Sequence, residues 1–136
     1  MARKADNDMI IEKRTHLFPN ATELQTQVFP TIEAMCKERG LPVKCVVEDA
    51  KSGAVFHEDT EKVLAIESNF GVWIMVTTSA YGSYLSVNIN LFGAVNNASV
   101  FKARNFNLFF NCVTDCITEA FAKLGLSDDK KIFLLR

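Results

Sequence analysis

The sequence predicts an α+β fold. We expect a two-layer sandwich in which two helices pack on one face of an antiparallel β-meander of four to six strands, in the order α-β-(β)-β-β-β-α-β. Three observations predict it. Two segments, one starting near Asn20 and one near Asn105, repeat apolar residues at helical spacing. Short runs alternating apolar and polar residues lie between them, separated by Gly, Asn, Asp and Ser. With 136 residues and 49% hydrophobic content, the chain can fill one core without disulfides or metal staples.

The elements follow in chain order. Residues 1–8 are polar and charged and are expected to be a flexible N-terminus, leaving residues 9–136 as a single α+β domain. Met9-Ile10-Ile11 fits either a short strand or a helical turn. Asn20 is an N-cap candidate with Glu23 three residues on, a variant of the capping box. Leu24, Val28, Ile32, Met35 and Cys36 then form one stripe. Pro30 lies inside that stripe. Because the stripe stays in phase across it, one kinked helix is expected rather than two. Gly40 should end it in the left-handed conformation.

Strands follow. Pro42–Asp49 alternates Val43, Cys45 and Val47 with Lys44, Val46 and Glu48, and residues 49–53 carry turn chemistry. Ala54–His57 reads as a short return strand, with another turn at residues 58–60. Lys62–Glu67, Val72–Ser79 and Ser83–Phe92 complete the meander, joined by turns at Asn69-Phe70-Gly71 and Ala80-Tyr81-Gly82. Gly93 to about Arg104 reads as a loop. Asn105 or Asn107 would cap the second helix. Its stripe is Phe106, Phe109, Phe110, Val113, Cys116, Ile117, Ala120, Phe121 and Leu124, and Gly125 closes it. Ile132–Leu135 reads as a final short strand.

Charge sets limits on function. The 23% charged residues leave a formal net charge of −1. That balance supplies no global attraction for a polyanion or an anionic membrane. No apolar run is long enough to span a bilayer. The N-terminal MARKADNDMIIEKR lacks the apolar centre of a secretory signal, so a cytoplasmic location, in a cell or a host cell, is expected. There Cys36, Cys45, Cys112 and Cys116 would be reduced, and the Asn20 and Asn97 sequons unmodified.

The two strongest strands define a candidate surface. The simplest pairing puts Val72, Ile74 and Val76 with Leu85, Val87 and Ile89 under the helices. It leaves Trp73, Met75 and Thr77 beside Tyr84, Ser86, Asn88 and Asn90 on the other face. Strands normally disfavour Asn, and an ordinary solvated face would carry Lys and Glu. Tyr, Trp and Met are enriched at protein interfaces, where Lys and Glu are depleted. We therefore expect a small non-enzymatic binding or interaction protein, chaperone- or regulator-like. It would act through this face as a homodimer, with Trp73, Met75, Tyr84, Ser86, Asn88 and Asn90 as contacts to a protein partner.

Other chemistry is less favoured. Cys112-x-x-x-Cys116, with His57 and Cys45 or Cys36, lacks the usual zinc spacing, so no metal is expected. No phosphate-binding loop, dinucleotide fingerprint or nucleophile elbow occurs, so no cofactor is implied. A catalytic or ligand pocket would have to be built around His57, Glu58 and a cysteine. A single-stranded nucleic-acid or RNA interface is the main alternative, with Lys102, Arg104 and Tyr84 as contributors. The neutral balance of the chain argues against it.

At the level of topology, the helix–meander–helix order resembles double-stranded-RNA-binding domains. Those domains carry a Gly-Pro-x-His-type loop and a Lys-rich start to the second helix. Ala80-Tyr81-Gly82 and Lys102-Ala103-Arg104-Asn105 match neither. The order is also similar to the opening of small dimeric chaperones of secretion systems, which hold unfolded partner segments. Neither resemblance carries a motif that assigns the chain to a family.

Overall fold

The computed structural model describes residues 3–4, 10–52, 59–93 and 99–127. The expected α+β sandwich is present. Its strands are β1 (Arg3–Lys4), β2 (Ile10–Phe18), β3 (Lys44–Ser52), β4 (Asp59–Glu67), β5 (Trp73–Tyr81) and β6 (Tyr84–Phe92), and its helices are α1 (Gln25–Glu38) and α2 (Val100–Lys123). The sheet order is β1-β3-β4-β5-β6-β2. All pairings are antiparallel except that of the two-residue β1, which runs parallel to β3 at the rim. The residues expected as return strand 54–57 and final strand 132–135 lie outside the described residues.

Both helices cover the same face. Val28, Ile32, Met35 and Cys36 of α1 join the Phe106–Phe121 stripe of α2 in one cluster with Leu64, Ile66, Ile74, Val76, Leu85, Val87 and Ile89. The pairing expected for the central strands is the one found, with Val76 opposite Ile89 and Ile74 opposite Leu91. Each fully buried aliphatic chain contributes about 1.5–3 kcal/mol relative to exposure.

The helix ends follow local chemistry. After α1, Gly40 takes φ +64°, its N–H donates to Lys37, and the N–H of Leu41 donates to Cys36. After α2, Gly125 takes φ +73°, with the matching bonds from Gly125 to Ala122 and from Leu126 to Phe121. A side chain with a Cβ would be strained at both left-handed positions, as the sequence implied. Helix α1 continues across Pro30 as one element.

The starts differ from expectation. Asn20 does not cap α1. It sits in the left-handed region at φ 55°, which Asn tolerates, and a short 3-10 turn at Thr22–Leu24 leads into the helix. The N–H of Ala21 donates to Ser83 and ties this entry to the β5–β6 hairpin. Helix α2 begins at Val100 rather than near Asn105. Ser99 is its cap, with Oγ accepting from the N–H of Lys102 at 3.2 Å.

Strand β2 was not foreseen as a full element. It is a nine-residue edge strand against β6, with a bulge at Ile11. Its helix-side residues include Arg14, whose guanidinium lies 4.9 Å from the Phe110 ring centroid, and His16, whose ring meets Phe121 at 5.0 Å. Strands β3 and β4 are also longer than expected, continuing through Ser52 and starting at Asp59.

Gly93, just after β6, is required by close approach. A Cβ there would lie 2.6 Å from Cγ1 of buried Val72 and 3.1 Å from Ile11. Gly93→Ala is expected to cost about 1–3 kcal/mol in urea unfolding. Adding Val72→Ala should relieve part of the clash, so a double variant less stable than the sum of the two singles would contradict this account.

Candidate functional site

The candidate surface is the sheet face away from the helices, and its composition changes along the strands. The β5–β6 ladder presents five rungs there: Trp73–Phe92, Met75–Asn90, Thr77–Asn88, Ser79–Ser86 and Tyr81–Tyr84. None of these ten residues carries a charge. Charged side chains flank the ladder instead, with Lys13 of β2 opposite Asn90 and Glu67 of β4 opposite Trp73.

One end of the face is a second small core. It joins Ala50 and the fully buried Val63 to Phe92, 1% exposed, and Met75, 9% exposed. The Trp73 ring stacks on Phe92 with centroids 4.8 Å apart. Met75 is therefore already nine-tenths enclosed and offers a partner little area. Trp73 is half-buried beside it.

The other end is polar and half-buried at Tyr84, Ser86, Asn88 and Asn90. Asn88 has a structural explanation. Its Oδ1 accepts from Thr15 Oγ1 at 2.9 Å across the β2–β6 pair, and its Nδ2 donates at 3.5 Å to Ser86. The Thr15 bond, worth about 1 kcal/mol, offsets the low strand preference of Asn. Asn90 makes no side-chain hydrogen bond among the described residues.

The alternative interface residues are not brought together. Lys102 and Arg104 stand exposed in the first two turns of α2, in the helix layer, and the Arg104 guanidinium lies 5.4 Å from the centroid of the exposed Phe101 ring. Tyr84 points from the opposite face of the sheet. His57 and Glu58 lie outside the described residues. Cys112 is exposed while Cys116, one turn on, is fully buried. Among the described residues, no group of three or more His, Cys, Asp and Glu side chains is arranged to hold a metal ion. None of their helices is long and apolar enough to cross a membrane.

A second surface escaped sequence reasoning. Phe70, in the β4–β5 turn, stacks on Phe106 with centroids 6.0 Å apart and meets Phe109 edge-on. With Leu41, Pro42, Leu108 and Cys112 it lines a groove of about 210 Å³. The signal was present as Leu108 and Cys112, exposed residues one helical turn apart beside the buried stripe.

No family model and no curated protein matches the chain.

Proposed function

We propose that the protein is a small non-enzymatic binding protein whose open sheet face takes a protein surface, and that a second copy of the chain is its first partner. The uncharged β5–β6 ladder carries this reading. Phe92 and Met75 are enclosed within the chain, but the three rungs from Thr77–Asn88 to Tyr81–Tyr84 also lack Lys, Glu, Asp and Arg, which is unusual for a face that only meets water. Tyr84, Ser86, Asn88 and Asn90 are half-buried polar side chains that can meet a partner without stripping water from a charge. Trp73 borders them, and Met75 and Phe92 make the floor beneath rigid. A two-fold axis through the ladder would set each strand pair against its own copy. A cytoplasmic, chaperone- or regulator-like role belongs to the same proposal.

Light scattering on a size-exclusion column at micromolar concentration is expected to give twice the monomer mass of 15.2 kDa. Amide exchange should show slowing on β5 and β6 as concentration rises. A monomer at every concentration would reject self-association. A dimer whose protection maps to α2 would reject the sheet face.

A further inference from the structure

Three of the four cysteines converge from three different elements. Cys36 lies in the last turns of α1, Cys45 near the start of β3, and Cys116 in the middle of α2. Cys36 is 2% exposed and Cys116 fully buried, whereas Cys45 is half-buried. The Cys36 thiol lies within hydrogen-bonding reach of Cys45 and also against Cys116. Cys36 and Cys45 share the wall of a cavity of about 330 Å³, which is also lined by Glu33, Lys37, Gly40, Leu41 and Val43. Of the two, Cys45 is the one a small solute can reach, with Cys36 enclosed behind it.

The two thiols of this pair are inequivalent. The hydrogen bond to Cys45, followed by burial, pushes Cys36 far above the ordinary thiol range. The same bond holds Cys45 below that range, against the opposing effects of burial and of the Glu33 carboxylate. Burial raises Cys116, and nearby Arg39 only partly offsets it. Cys45 is the more accessible of the pair, and its contact with the Cys36 thiol favours the thiolate, as an attacking cysteine requires. Cys36 is the protonated neighbour placed to resolve it.

We propose that Cys45 and Cys36 form an oxidisable dithiol site, with Cys45 as the sulfur that reacts with a small hydroperoxide and Cys36 as the resolving thiol. The Cys45 thiolate attacks the outer oxygen of the peroxide. The O–O bond breaks, the departing oxygen takes a proton, and Cys45 becomes a sulfenic acid. Cys36 sulfur then attacks Cys45 Sγ, the S–O bond breaks, and the leaving hydroxide takes the Cys36 proton as water. Two thiols and one hydrogen peroxide give one disulfide and two waters, with two electrons passing from the sulfurs to the peroxide. Closure needs the two sulfurs to approach to about 2.0 Å. The residues between them, Lys37–Lys44, include the left-handed Gly40. A dithiol reductant reverses the reaction by exchange. This site is independent of the sheet-face reading.

The test uses the full chain with Cys112→Ser, which removes the exposed thiol. Hydrogen peroxide is added in small excess, remaining thiols are alkylated, and tryptic peptides are mapped without reduction. Cleavage after Lys37 and Lys44 puts Cys36 and Cys45 on separate peptides, so their disulfide is seen directly as a linked pair. The expected result is loss of two free thiols, a Cys36–Cys45 link, and recovery of both thiols with dithiothreitol. Cys36→Ala should instead accumulate a dimedone-reactive sulfenic acid at Cys45. A first adduct on Cys36 or Cys116, or over-oxidation of Cys45 with Cys36 left free, would overturn the assignment. The mapping on the Cys112→Ser chain decides the matter even if Cys36→Ala fails to fold.

Discussion

Phe18→Ala is expected to lower the unfolding free energy by about 3–5 kcal/mol, the range for removing a buried aromatic side chain. Phe18 is 1% exposed at the end of β2, and its ring meets Phe121 of α2 edge-on with centroids 4.8 Å apart. The His16 ring lies parallel to it and completes a three-ring cluster with Phe121. Phe18 joins an edge strand to the last buried turn of α2, so truncation leaves a cavity that neither the sheet backbone nor the helix can fill. Its neighbour Leu17 points to the opposite face and is half-buried. Leu17→Ala should cost markedly less, about 1 kcal/mol, in the same urea titration. Equal losses at the two positions would mean that β2 does not alternate across the sheet.

The same strand shows where the sequence stopped being legible. The alternation of Leu85, Val87 and Ile89 is clean because β6 lies inside the sheet and one face must be dry. Strand β2 sits at the rim, where long polar side chains can lay their stems on the core. Arg14 over Phe110 and His16 against Phe121 replace the aliphatic residues that would have revealed the period. The bulge at Ile11 further obscures it.

The start of α2 was hidden for a related reason. Val100 to Asn105 are all exposed, and the first buried residue is Phe106. A helical segment that buries nothing has no apolar stripe to read, so only the Ser99 cap marks its beginning. Both C-termini were legible because the left-handed turn after a helix strongly favours Gly. The candidate face was legible in placement, since register follows from the dry side. Its division into an enclosed Met75–Phe92 end and a half-open Asn88–Asn90 end was not, because that depends on burial rather than on pattern. The thiol cluster also required the fold, which brings Cys116 to two cysteines far from it in sequence.

The register also sharpens the test of the proposed interface. Placing Lys at Asn90 would set two ammonium groups directly opposite each other, because Lys13 is its cross-strand partner. Any loss of binding could then reflect a weakened β2–β6 pair. Asn90→Glu avoids this. In the monomer the carboxylate faces Lys13, and at a half-exposed site its effect on stability should stay within about 0.5 kcal/mol. In a two-fold dimer through the ladder, each interface would have to accommodate two added carboxylates where uncharged amides stood. An imperfectly paired charge in such a contact costs several kcal/mol, so self-association should weaken by about 100-fold or more, equivalent to roughly 2.7 kcal/mol. Asn90→Gln keeps the amide chemistry and should stay within about tenfold of the parent. Sedimentation velocity across a dilution series gives the dissociation constants, and thermal melts check the fold. If Asn90→Glu and the parent self-associate equally, the ladder is a solvated surface and the partner must be sought elsewhere, beginning with the groove beside Phe70.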